Sequence, residues 1–325
     1  MASQNQLQLF RRSTRLERDG TEEGLEGYIP TPRGLELVGQ LLDALASNDY
    51  KAFSVTGPYG SGKSSFAVFL SALFEPKTSR AHQAALALLE AESGPMARSV
   101  QAMRERFRVS ETGFVVVKVT AQRAPLLHIL RDALDSALNQ LAGLGDLHER
   151  VRSLLATEPM EESDLVAALQ AICDVRPVLL CLDEFGKALE WFSEHRSRNG
   201  DLYVLQQLIE QSENRKRKPL ALVTLQHLAF DDYAADSAAL RQREWAKIQG
   251  RFRDFPFSDS SRTTGFLMAR CLQKLSVEQP ANASELWAQA NSLKLVDQLS
   301  LRFEALAPLH PLTAVLLPEL CSKYG

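Results

Sequence analysis

The chain has 325 residues, 45% hydrophobic and 24% charged, enough to bury a sizeable core in one large domain or two. Its formal net charge of -3 excludes a globally basic nucleic-acid binder, so any such contact must be a local patch. No apolar stretch approaches the roughly 20 residues that span a bilayer, and the first 19 residues lack the apolar segment of a secretory leader. The four cysteines, Cys173, Cys181, Cys271 and Cys321, show no CxxC or zinc spacing, which points to a reducing cytoplasm.

Residues 1–27, rich in Gln, Arg, Glu and Gly without periodicity, predict a flexible N-terminal arm. Thr31 then caps a helix with Pro32 at its first position, and Leu35, Val38, Leu41, Leu42 and Leu45 form its buried stripe. Strand-like apolar runs follow at 52–57, 113–120, 177–183, 219–226 and 252–257. Those at 113 and 177 are nearly continuous, as in parallel strands covered on both faces. Amphipathic helices separate the runs, one of them marked by Leu127, Leu130, Leu134, Leu138 and Leu141. This alternation predicts an α/β fold with a doubly wound, parallel five-stranded sheet over 28–257. Beyond 258 the strand signal stops and three helical patterns, the last begun by Pro311, predict a small helical lid over 258–325.

The most informative stretch is VTGPYGSGKSSF, which begins at Val55. Gly57, Gly62, Lys63 and Ser64 fit G-x-x-x-x-G-K-[ST], a phosphate-binding P-loop. Glycines let backbone N–H groups turn inward around phosphate oxygens, and the helix starting near Lys63 directs its positive end at the same anion. The loop residues Gly57, Pro58, Tyr59, Gly60, Ser61, Gly62, Lys63, Ser64 and Ser65 would hold the phosphates of ATP. Lys63 faces the β- and γ-phosphates, and the Ser64 hydroxyl ligates Mg²⁺. A chance Gly/Ser loop is the competing reading, and the strand before and apolar helix after decide against it. VLLCLDEF supplies the acids such a site needs at another strand end. Asp183 is the expected metal ligand, and Glu184 the group that orients or deprotonates water. That second acid favours hydrolysis over kinase chemistry.

A strand between the P-loop and Asp183 in the chain resembles the additional-strand division of P-loop ATPases, which includes AAA+ and STAND proteins. The resemblance covers about residues 28–325 and implies further roles. Of Thr224, Gln226 and His227 at the end of the next strand, Gln226 would sense the γ-phosphate, with His227 as the rival. Arg251, on a face shared with Arg243 and Lys247, would act as an arginine finger across a homo-oligomer interface, with Arg253 as alternative. LHPLTAVLLPEL is similar to the proline-containing lid motif of STAND and origin-recognition ATPases and would bring His310 to the nucleotide, with a lid arginine among Arg262, Arg270 and Arg302. Tyr28 and Ile29 are candidate adenine contacts. The basic run at 214–218 is a candidate nucleic-acid patch. The implied function is Mg-dependent ATP hydrolysis by the N-terminal motor of a larger prokaryotic defence or DNA-processing ATPase. A slow STAND-type switch with oligomerisation as its output, and an ATP-controlled nucleic-acid-binding module, are the alternatives.

Overall fold

A computed structural model describes residues 14–47, 51–194, 200–214, 216–228, 233, 247–258, 261–275, 281–294, 306 and 308–324. Each apolar run forms a strand: β1 (Ala52–Thr56), β2 (Val115–Thr120), β3 (Val178–Asp183), β4 (Leu220–Gln226) and β5 (Arg253–Pro256). They pair in the order β2-β3-β4-β1-β5, all parallel. Burial follows that order. Every residue of β3 and β4 is buried, whereas the edge strands β2 and β5 are only partly so. The strand that separates the loop strand β1 from the acidic strand β3 in space is β4, not β2, which lies at the edge.

Among the described residues the α-helices are α1 (Pro32–Ala46), α2 (Lys63–Phe74), α3 (Arg80–Glu92), α4 (Gly94–Arg106), α5 (Leu126–Ala137), α6 (Gly145–Leu155), α7 (Glu162–Val175), α8 (Gly186–Glu194), α9 (Gly200–Glu213), α10 (Ser261–Leu275), α11 (Ala283–Ser292) and α12 (Pro311–Tyr324). Thr31 caps α1 as expected, its Oγ1 accepting from the Gly34 N–H at 3.1 Å. Its fully buried residues are Leu37, Val38, Leu41, Leu42, Ala44 and Leu45, while Leu35 is half-buried.

Side chains alternate across a strand, so the sheet has two covered faces. Val115, Val117, Leu180, Leu182 and Leu222 join one apolar cluster with α5, α6, α7 and α9. On the other face Cys181 meets Ser71 of α2, Sγ to Oγ 3.6 Å. Between two layers α2 is buried all round from Phe66 to Phe74, which is why it carries no polar stripe. Burial pushes the Cys173 and Cys181 thiols up to about 12, and such thiols are inert core residues.

Polarity without periodicity predicts an arm over 1–27, yet from residue 14 onward this segment packs on the core. Leu16 and Leu25 are buried, Thr14 Oγ1 lies 3.0 Å from Ser65 Oγ, and the Glu17 carboxylate accepts from the N–H and hydroxyl of Thr120. The described residues fall into two units, 14–28 with 37–257 and 29–36 with those beyond 257. The second is helical, with Ala269, Trp287, Ala290, Leu306 and Ala314 as its core and Trp287 Nε1 donating to the Leu309 carbonyl at 3.2 Å.

One buried arginine sets the start of β2. Arg176 donates to the carbonyls of Gln140 at 2.7 Å, Gly113 at 2.9 Å and Phe114 at 3.1 Å, and also to that of Thr112. Arg176→Met would leave several acceptors buried without this donor. We expect a loss of roughly 2–4 kcal/mol in urea unfolding, with Arg176→Lys recovering less than half; an unchanged midpoint would contradict this role.

Candidate functional site

The site is assembled at the C-terminal ends of β1 and β3. β1 ends at Thr56 and the chain enters α2 through Gly57–Gly62. A Cβ on Gly57 would stand 2.1 Å from the Phe257 carbonyl oxygen, so this glycine is required by packing against the end of β5. Gly60 and Gly62 take positive φ, 76° and 82°, and a Cβ on either would meet nothing within 4 Å. Their role is conformational: Gly62 is the left-handed N-cap of α2, without a side-chain cap. The first N–H groups of α2 are therefore left for an anion.

Lys63 is buried, and its ammonium is folded back onto its own loop. Nζ donates to the carbonyls of Gly57 at 2.7 Å and Pro58 at 2.8 Å, and to Ser61 Oγ at 3.3 Å. Burial pulls its pKa below the usual lysine range, and the Asp183 and Glu184 carboxylates pull it back up. Asp183 ends a wholly buried strand, on the same face as Cys181 and hence toward α2. Its carboxylate accepts from the Glu184 N–H at 2.8 Å, and the Ser64 hydroxyl also favours its ionised form. Burial raises its pKa above the ordinary 3.8, more than those donors and Lys63 lower it. Glu184 follows with φ of 49°, a left-handed conformation that costs a non-glycine residue about 1 kcal/mol or more. Its half-buried carboxylate pairs with Lys187 of α8.

The remaining candidates are placed as follows. Gln226 is fully buried at the end of β4, its Nε2 donating to Ser54 Oγ at 3.2 Å while Oε1 has no partner among the described residues. Thr224 is buried, its hydroxyl on the Phe53 carbonyl at 3.3 Å. His227 stacks on the exposed ring of Tyr59. Burial and the nearby Lys63 charge hold its pKa below the usual histidine value. Tyr28 packs its ring on Phe69, centroids 5.0 Å apart, and Ile29 is half-buried. In the helical unit His310 is exposed and caps α12, its Nδ1 accepting from the Leu312 N–H at 3.2 Å. Arg270 lies over the Phe266 ring. Arg243, Arg302 and the Arg262 side chain lie outside the described residues.

Arg251 sits in the turn before β5. Because Arg253 pairs with Phe53 in parallel register, Arg251 is at the end of the sheet opposite the loop. Its Nη1 is 3.4 Å from Glu210 Oε1. Arg253 lies over the Phe53 ring at 5.4 Å. The basic run at 214–218 precedes β4 at that same end, with Arg217 paired to Asp174 at 3.3 Å. The sequence did not bring out Lys187 or the Tyr59–His227 stack. The first had a signal, since Lys187 stands three residues after Glu184 at a helix start; the second depends on β4 lying beside β1.

Among the described residues no group of three or more His, Cys, Asp or Glu is placed to hold a metal ion. The site instead offers one hydroxyl and one carboxylate, Ser64 and Asp183. That set fits Mg²⁺, which keeps several waters and is bound through one or two protein ligands plus substrate phosphates. No described helix is long and apolar enough to cross a membrane.

No protein-family model matches the chain, and no curated protein matches it. Among solved structures it is similar to the Aeropyrum pernix ORC2 protein in its ADP form, with 13% identity over 90% of this chain and 70% of that one and a TM-score of 0.45. It is similar also to ADPNP-ADP complexes of that protein, with 16% identity, the same coverage and a TM-score of 0.40. Likeness at this distance assigns no role to any residue.

The Asp183 carboxylate gives a signed test. Its folded-state pKa is raised, so the folded protein binds more protons than the unfolded chain above about pH 3.8, and stability falls as pH rises through that window. Asp183→Asn removes the penalty. Without nucleotide or Mg²⁺, its melting temperature should exceed that of the wild type near pH 7 and converge on it toward pH 4. A variant that melts lower at pH 7 would show that the carboxylate is net stabilising.

Proposed function

We propose that this chain binds ATP with Mg²⁺ and hydrolyses it, as the AAA+-like motor or switch part of a larger DNA-processing or defence assembly. The single observation that carries the reading is the arrangement of the loop and the acid at the ends of parallel strands: Lys63 and Ser64 start α2 after β1, and buried Asp183 ends β3 on the face toward α2. It relates the residue after the P-loop lysine to the acid at the end of a second parallel strand, which is the pairing that Mg·ATP chemistry requires. Mg²⁺, held by Ser64 and Asp183, would neutralise charge on the phosphates. Lys63 would exchange its loop carbonyls for β- and γ-phosphate oxygens, and the α2 N-terminus would supply backbone donors. Glu184 would take a proton from the attacking water as the bond to the γ-phosphorus forms and the bond to the ADP oxygen breaks.

Gln226 is buried with its Nε2 donated to Ser54, so of the two γ-phosphate sensor candidates we favour His227, which stacks on Tyr59 of the loop. Arg251 lies too far along the sheet to serve its own site. As an arginine finger it would act on a neighbouring copy, after leaving Glu210. One observation favours the slow switch as a second reading: the Glu184 carboxylate is tied to Lys187 and would have to leave that pair to meet a water.

One set of ATP titrations and turnover assays separates these roles. Lys63→Ala should lose Mg·ATP affinity by about 100-fold or more, about 2.7 kcal/mol, whereas Glu184→Gln should bind normally and lose most turnover. Lys187→Ala should raise turnover if the pair restrains the base, and Arg251→Ala should lower it without loss of binding. Unchanged ATP affinity in folded Lys63→Ala would reject the reading, and activity independent of protein concentration would reject a finger acting between copies.

A further inference from the structure

β2 is the edge of the sheet beyond β3, and its outward backbone groups are treated unequally. The N–H groups of Val115 and Ala121 point inward, to the carbonyls of Pro177 and Asp183. By alternation those of Val116, Lys118 and Thr120 point outward. At Val116 the Gln140 carboxamide accepts from the N–H at 2.8 Å and donates to the C=O at 2.7 Å, copying the peptide group of a neighbouring strand. At Thr120 the N–H is taken by the Glu17 carboxylate. Between them the N–H and C=O of Lys118 have no hydrogen-bond partner among the described residues.

The space outside Lys118 is a groove of about 420 Å³ between β2 and one face of α5. Its apolar wall is Ile129, Ala133 and Ala137, at i, i+4 and i+8, and the two alanines leave room for a second chain. Among the lining side chains Glu17 and Asp132 are acidic, and the cation of Lys118 is already neutralised by Glu75 at 2.8 Å. Arg131 beside Asp132 is shared with Glu158, so the rim is net negative.

We infer that the open edge of β2 and the groove along α5 form a slot for an extended peptide segment of another protein, with small apolar side chains alternating with basic ones. Its backbone would pair with Lys118 as an added strand. Residues on the α5 side would rest on Ala133 and Ala137, and a Lys or Arg would reach Asp132 and Glu17. An exposed strand edge is normally blunted by charge, a bulge or a cover. Here it is blunted on one side of Lys118 by the Gln140 carboxamide, which imitates a strand, and on the other by the Glu17 carboxylate, and left open at the residue that faces the groove.

The test uses the full chain and a fluorescein-labelled Lys-Val-Lys-Val-Lys-Val-Lys peptide, read by fluorescence polarisation. We expect saturable binding, weakened at least about 10-fold when alternate peptide amides are N-methylated and absent for the Glu-Val counterpart. Ala133→Phe, which fills the slot, should weaken binding about 10-fold. Because a buried substitution can unfold the helix face, the exposed Asp132→Lys provides the independent arm, with a loss of about 5-fold or more. No saturable binding to the wild type, equal binding of the N-methylated peptide, or full binding to Asp132→Lys would overturn the inference.

Discussion

A carboxylate buried at the end of a buried strand is the constraint from which the site follows. Asp183 is 3% exposed, and an ionised acid there is stable only if donors or cations surround it. The fold supplies the Ser64 hydroxyl, the Glu184 N–H and the nearby Lys63. To place them, β1 and β3 must end at the same height with α2 starting over them, which the parallel register through β4 provides. The turn after Asp183 then forces Glu184 into a positive φ. Backbone strain at such a position is sustained where surrounding structure over-determines it, and here the Phe185 N–H anchors the turn on the Leu225 carbonyl at 2.9 Å.

The same groups also satisfy one another. Lys63 occupies three acceptors of its own loop, and Glu184 is met by Lys187. On the proposed reading a phosphate would have to outcompete these bonds, and the positive φ of Gly60 and Gly62 would let the loop backbone turn toward it. The two buried atoms of β4's end that lack partners among the described residues, Gln226 Oε1 and His227 Nδ1, stand next to this region. Unmet buried acceptors are costly, and the pair marks where rearrangement or a bound water would be most favourable.

The five strands and the loop were legible because their signals are local. β3 and β4 are short apolar runs ended by acids or polar residues, and the turn from β1 into α2 is a fixed spacing of glycines, lysine and serine. Sheet order was less so: that β4 rather than β2 separates β1 from β3 depends on long-range pairing. The packing of 14–28 was missed because Leu16 and Leu25 are single apolar residues in a polar stretch, with no period to reveal a buried face. Residues at strand ends were legible as polar but not as to direction. Gln226 turns toward Ser54 because alternation sets its face, and a motif comparison does not carry that information. The buried stripe of α1 includes Leu37 rather than the expected Leu35, two positions earlier, since both fit an apolar helix face.

On the proposed reading, Ser64 and Asp183 act together on one divalent cation bound with nucleotide. A double-mutant cycle with Ser64→Ala and Asp183→Asn, read as the gain in ATP affinity when Mg²⁺ is added, addresses this directly. Each single variant should lose most of that gain, and the double variant should lose little more, because either change empties the same position. Losses that simply add, or a magnesium-dependent gain that survives in the double variant, would contradict the shared site.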